Sequence, residues 1–284
     1  MGCSFSDVLP GPGIPFFKLS PGGNTTVFVP LAAARPEDRA AVANLIMDPL
    51  HLGAEQVGFI DLNPEAPELI MMGGEFCGNA CRSLAALLVM GRPVAGKKQA
   101  GALRSSGTDQ PVLWRAEPLE KPGAAVDAAV RVDMQLASLE TVKPGLVKVD
   151  MPGMCMLLFD EAVYPLPADP AAEAAQWRED LRLTEREGVG CVRHAPLRAV
   201  GGQHIVPLVW VRGTGSSCLE TACGSASLAL ALAAHKLAGA APRLDIRQPS
   251  GAFIRVELEE EQAGSLHGWI GGPVKLSAQG RLFL

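Results

Sequence analysis

The chain lacks an excess of positive charge. Residues 1–142 hold 11 Lys and Arg against 15 Asp and Glu, and residues 143–284 hold 14 against 15. Neither half offers the basic surface that a phosphate backbone demands, so nucleic acid is not an expected partner. Long apolar runs are missing too. The longest, Leu84 to Met90 and Leu228 to Ala234, have seven residues each, whereas a membrane span needs about 20. No basic residue precedes Lys18, so the charged start of a secretory signal is absent. The opening MGCSFS fits the loose pattern for myristoylation at Gly2 with Cys3 as a second acyl site, but no polybasic patch follows it. The expectation is a cytoplasmic protein with reduced thiols and no membrane partner. Its seven cysteines include no Cys-x-x-Cys pair, which weakens a structural zinc reading.

What is present is an apolar composition, 48% of 284 residues. A chain of this kind buries a core without disulfide or metal staples and is not disordered. Its length suits one large domain or two of about 140 residues each, and is compatible with a homodimer. The 31 glycines and 23 prolines are spread along the chain, which predicts many short elements joined by tight turns. Strand-like runs cover 26–31, 56–61, 130–134, 154–160, 205–211 and 253–258. Helices are expected over 36–47, where Pro36, Glu37 and Asp38 form a start signal, and over a surface segment, 170–187. Two further helices, 78–90 and 224–238, are almost wholly apolar, the mark of a helix buried on every side.

Four landmarks repeat in the same order. Cys77-Gly78 before the first apolar helix echoes Cys223-Gly224 before the second, 146 residues on. Ser105-Ser106-Gly107 echoes Pro249-Ser250-Gly251, Pro21-Gly22 echoes Pro152-Gly153, and residues 56–60 echo 188–192. The expected fold is therefore α+β, with two pseudo-symmetric domains, each a mixed sheet or barrel wrapped around a buried central helix. Their boundary is expected near Lys143-Pro144-Gly145, giving halves 1–142 and 143–284, with the last ten or so residues able to return to the first half.

Both halves place Cys-Gly before a buried helix. The first turn of a helix leaves N–H groups unsatisfied and partly positive. A cysteine there is expected to have a lowered pKa, and the amides beside it can hold a carboxylate. Two such thiols facing one cleft suit inversion at an amino-acid Cα. One thiolate takes the proton and the opposite thiol returns one to the other face. That chemistry requires neither metal nor another cofactor, only a dry site with preorganised donors.

At these residues the sequence resembles the diaminopimelate epimerase family of cofactor-independent, two-cysteine amino-acid racemases. The matching segments are PGGNTTVFV at 21–29, GAEQVGFI at 53–60, CGNACR at 77–82 and ETACGSA at 220–226. The resemblance implies that fold, a small amino-acid substrate, Cys77 and Cys223 as acid and base, and substrate contacts from Asn24, Glu55, Gln56, Gly78, Asn79, Glu220, Gly224 and Ser225. Two departures argue against diaminopimelate itself. The family's Gly-Asn-Pro-His turn is replaced by Pro152-Gly153-Met154-Cys155, and Glu220 lies three residues before Cys223 rather than four. The segments at 72–80 and 55–60 are closer to the histidine racemase branch, whose members supply D-histidine for opine-type metal-scavenging molecules.

Other readings remain beside this one. Cys77, Cys81, Cys218 and Cys223 could form a zinc-stabilised binding module, and a thiol hydrolase would pair one cysteine with His194, His204 or His235. Asn24 in a glycine turn, or Glu75 and Glu220 near helix starts, can equally be local structure.

Overall fold

The clearest strand-like runs are those with two apolar faces, and the fold shows why. In the computed structural model, residues 13–91, 98–119, 125–134, 137–151, 153–197, 202–213, 215–260 and 266–284 are described. The MGCSFS segment, Pro152 and Thr214 lie outside them. Strand β1 (Ile14–Ser20) pairs antiparallel with β2 (Thr26–Pro30), and helix α1 (Arg39–Met47) crosses to β3 (Gln56–Asp61), parallel to β2. Strand β4 (Glu68–Met71) runs antiparallel to β3, and the buried helix α2 (Gly78–Met90) crosses to β5 (Gln99–Ser105), parallel to β4. Strands β6 (Val112–Pro118) and β7 (Ala125–Asp133) continue antiparallel.

The second half adds β8 (Ser138–Lys143), β9 (Leu146–Met151) and β10 (Met154–Asp160) as an antiparallel run, then α3 (Pro170–Asp180). Strand β11 (Gly188–Pro196) is parallel to β10 and antiparallel to β12 (Gln203–Val211). A short strand, β13 (Ser216–Leu219), folds back on β12 before helix α4 (Gly224–Ala238) crosses to β14 (Arg243–Arg247), parallel to β12. Strand β15 (Phe253–Glu260) and the long β16 (Leu266–Leu282) complete it antiparallel.

Strand β16 joins the two rows. Its first part pairs with β15 and β7, and residues 275–282 pair with β1. Strands β1 to β7 and β16 thereby close an eight-stranded barrel. Helix α2 sits against its inner face, buried from Gly78 to Val89. Helix α4 is held the same way by the other row, with Ala226 to Ala233 buried.

Helices α1 and α3 cover the outer faces. Val27, Val29, Val57 and Phe59 pack on Ala43 and Ile46 of α1, while Phe28 between them faces the inner core. Leu157, Phe159 and Val189 pack under α3 with Ala174 and Leu183, while Met156 and Leu158 face inward. Strands covered on both faces carry continuous apolar sequence.

Helix α3 is shorter than the expected 170–187. It stops at Asp180, and Arg182 takes a left-handed φ of 55°. That bend drives Leu183 into the core, where it is 4% exposed. Pro144-Gly145 forms the turn of the β8–β9 hairpin, while β7 ends earlier, at Asp133. The echoed segments fall at corresponding places. Gly22 and Gly153 sit in the turns before β2 and β10, and 56–60 and 188–192 lie in β3 and β11. Gly107 and Gly251 sit in the β5–β6 and β14–β15 turns.

Among the described residues no helix is long and apolar enough to cross a membrane.

Candidate active site

The amino ends of the two buried helices meet. Cys77 and Cys223 are their N-cap residues, with nearly the same extended backbone: φ −132°, ψ 107° and φ −132°, ψ 112°. Asn79 Nδ2 donates to the Ala222 carbonyl at 3.2 Å, bridging one helix start to the other. Gly224 brings the second helix close, since a Cβ there would lie 3.2 Å from Asn79 Oδ1.

Around the two thiols lies a cavity between the halves. Asn24, Gln56, Gly78 and Asn79 line it from the first half, and Glu220, Gly224 and Ser225 from the second. Glu75, Phe76, Met154, Val209 and Val211 complete the wall. Nine of the ten residues anticipated from sequence are thus brought together. Glu55 is not among the lining residues. Its carboxylate accepts from Thr25 N at 3.0 Å, Thr221 N at 3.0 Å and Thr221 Oγ1 at 2.7 Å, so it clamps one half to the other. Thr221 Oγ1 in turn accepts the Asn24 amide at 2.7 Å, fixing the left-handed Asn24 (φ 48°) at the cavity wall.

Each thiol has its own surroundings. Cys77 Sγ accepts the Ala80 amide at 3.5 Å and donates to Gln56 Oε1 at 3.3 Å. Gln56 is held in turn by its bond to Thr26 Oγ1 at 2.7 Å. Cys223 instead has the Glu220 carboxylate beside it, whose charge acts on the thiol. The backbone of Cys223 is fixed by Gln248, whose Oε1 accepts its amide at 2.9 Å and whose Nε2 donates to Ser227 Oγ at 3.0 Å.

The expected lowering of thiol pKa by helix ends is overturned. Burial pushes Cys77 up to about 12, against a smaller opposite pull from the Ala80 amide, with Glu220 and Glu75 adding to the rise. Cys223 is pushed up in the same sense, by burial first and then by Glu220. The dry cavity outweighs the helix-end amides because desolvation penalises the anion more than one N–H contact favours it. Burial also raises Glu220 to about 7, with the Cys223 and Asn24 side chains pulling the other way.

The other cysteines among the described residues do not join the site. Cys81 packs inside α2 and donates to Ser105 Oγ at 3.4 Å, and Cys155 and Cys191 are buried in β10 and β11. Cys218 is exposed on β13. Among the described residues no three His, Cys, Asp or Glu side chains gather as metal ligands. His204 pairs with Glu161 at 2.9 Å and His235 reaches the Ala240 carbonyl at 2.8 Å, so neither faces a thiol. Sequence reasoning missed Thr221 and Gln248, which hold the helix starts, and treated Glu75 as local structure. The Glu beside each Cys-Gly was the available signal for Glu75. Gln248 carries none, because its role depends on where β14 ends.

Comparison with known proteins bears on this geometry. The family described as the histidine racemase CntK N-terminal domain matches residues 13–283. A histidine racemase of Fusobacterium nucleatum subsp. nucleatum is 27% identical over 280 residues, covering 95% of this chain and 96% of its own. A Bacillus anthracis phenazine biosynthesis protein of the PhzF family shares the fold with a TM-score of 0.65 at 12% identity, covering 96% of this chain and 100% of its own. A hydroxyproline epimerase from Agrobacterium vitis does so with a TM-score of 0.63 at 11% identity, covering 95% and 90%.

Proposed function

The chain belongs to the histidine racemase CntK N-terminal domain family and is an isomerase of the racemase type; on that premise we propose that it inverts histidine at Cα with Cys77 and Cys223 as acid and base. The observation that carries this reading is the pair of cysteines at the N-cap positions of two buried helices whose starts are tied by Asn79 and Ala222 across one cavity.

The first-turn amides of α2 and α4 have no intrahelical acceptor. Aimed at one point from two sides, they suit the substrate carboxylate, and they stabilise it more as negative charge spreads onto it during proton removal. Cα then lies between the sulfurs. One sulfur, as thiolate, takes the Cα proton and becomes a thiol. The other gives its proton to the opposite face and becomes a thiolate, so the protein ends with the roles exchanged. The raised thiol pKa values serve this step. A thiolate that is costly to form is a strong base once formed, which a weakly acidic C–H requires. Both sulfurs must stay reduced, which fits a cytoplasmic setting.

We further infer that halves 1–142 and 143–284 are two copies of one unit. The pairing senses support this, running antiparallel, parallel, antiparallel, parallel, antiparallel, antiparallel from β1 to β7 and again from β9 to β16, with β13 aside. On this view residues 275–282 return to complete the first copy.

The test is Cα-proton exchange in D2O with L-histidine, D-histidine and diaminopimelate, followed by NMR. Histidine should exchange from either enantiomer and racemise. No exchange with either histidine enantiomer would sink the assignment.

A further inference from the structure

We propose that Glu75 is a specificity-determining residue, selecting substrates whose side chain is basic. This rests on the racemase reading above and assigns its substrate class.

The argument starts from what the cavity wall lacks. Among its lining residues there is no Lys, Arg or His, while Glu75 and Glu220 both belong to it. The buried acceptors there are under-used. Asn79 is 1% exposed and its Oδ1 has no partner, and Glu220 Oε2 is likewise buried without one. Unpaired buried acceptors are costly, so the cavity is built for a ligand that arrives with N–H donors. The backbone amides of the helix starts already supply donors for one carboxylate. A second carboxylate on the substrate would face Glu75 and Glu220 with no cation on the cavity wall to meet it, and Arg212 at the adjoining opening is already paired with Glu185 at 3.3 Å.

Depth divides the two carboxylates. Glu220 sits beside Cys223 and Asn24 at the reacting centre, where the α-ammonium must lie. Glu75 stands at the mouth, where it also lines the adjoining opening with Gly73, Glu187 and Arg212. The Gly73 amide holds its Oε2 at 3.0 Å, and no described Lys, Arg or His pairs with it. Burial raises its pKa, so a cationic side chain also keeps it ionised. A side chain leaving Cα toward the mouth passes this carboxylate. An imidazole supplies an N–H or an imidazolium there.

The experiment measures Cα exchange and kinetics on a panel of L-histidine, L-glutamine and L-glutamate, for the wild type and Glu75→Gln. Gln keeps an acceptor for the Gly73 amide. The wild type should favour histidine over both others. Glu75→Gln should raise KM for histidine at least tenfold with kcat within threefold, and lose the preference over glutamine. A wild type that handles glutamate as well as histidine overturns the proposal even if the variant fails to fold. So does a variant that keeps the wild-type preference, and the racemase reading then stands. If the wild type exchanges nothing on the panel, calorimetric binding of histidine decides. Binding that weakens tenfold in Glu75→Gln keeps the Glu75 role while the racemase reading fails, and no binding at all overturns both.

Discussion

Cys77 and Cys223 share backbone angles to within a few degrees and cap similar apolar helices, yet their thiols point at different acceptors. Cys77 donates to a neutral amide, Gln56. Cys223 has the Glu220 carboxylate. A repeated backbone motif therefore does not produce a repeated acid. The helix end gives an N–H to the Cys77 sulfur but none to that of Cys223, and the side chain opposite each thiol adds its own push or pull to that of burial. We read this as an asymmetry of surroundings, with a carboxylate beside Cys223 and a carboxamide beside Cys77.

Removing either sulfur breaks the comparison at its root. Cys77→Ala and Cys223→Ala should each lower racemisation by at least about a thousandfold, within the range expected for deleting a positioned acid or base. Optical rotation or chiral chromatography of histidine measures it. Full activity in Cys223→Ala would point to single-thiol chemistry instead.

The echoed glycines give the next largest contrast. A Cβ on Gly107 (φ 71°) would lie 2.2 Å from the Phe76 nitrogen, while at Gly251 (φ 84°) nothing lies within 4 Å. Gly107→Ala should therefore cost about 3 kcal/mol, adding overpacking to backbone strain. It should also disturb the Glu75–Cys77 segment and so lower kcat. Gly251→Ala should cost only about 1–2 kcal/mol for the left-handed backbone. Urea denaturation of both variants tests this, and equal losses would remove the distinction.

The same physics explains how much of the molecule is legible in its sequence. Strands β2, β3, β10 and β12 are readable because helix layers cover both faces and their central residues are apolar. Strand β8, with exposed Ser138, Glu140 and Thr141, has no such signature, and β16 runs 17 residues through glycines and polar positions because it serves both rows. The paired Cys-Gly starts locate the site because a helix cap fixes the geometry of the turn after it. Thr221 and Gln248 are illegible, since their roles arise from contacts between residues 166 and 25 positions apart. The direction of the thiol pKa shifts escapes the sequence for a related reason. Burial is a tertiary property, and it outweighs the local helix end.

The finest test of the asymmetry replaces the carboxylate itself. Glu220 stands beside Cys223, and its charge raises the pKa of both thiols. Glu220→Gln keeps an acceptor of the same shape and removes the charge. At pH 9 the thiolate fraction of a high-pKa thiol grows tenfold per unit of pKa lowered. Alkylation of Cys223 by iodoacetamide, followed peptide by peptide, should thus accelerate, with a smaller gain at Cys77. Equal acceleration at both sites would show that Glu220 does not distinguish them. The same variant carries a stability signature. Glu220 is raised in the fold from 4.5 to about 7, so the folded state holds a proton that the unfolded chain gives up first. The stability this provides is present in full below about pH 4.5 and is lost as pH rises through 7. Glu220→Gln should flatten that fall in melting temperature between pH 5 and 8. An unchanged slope would assign it to other groups.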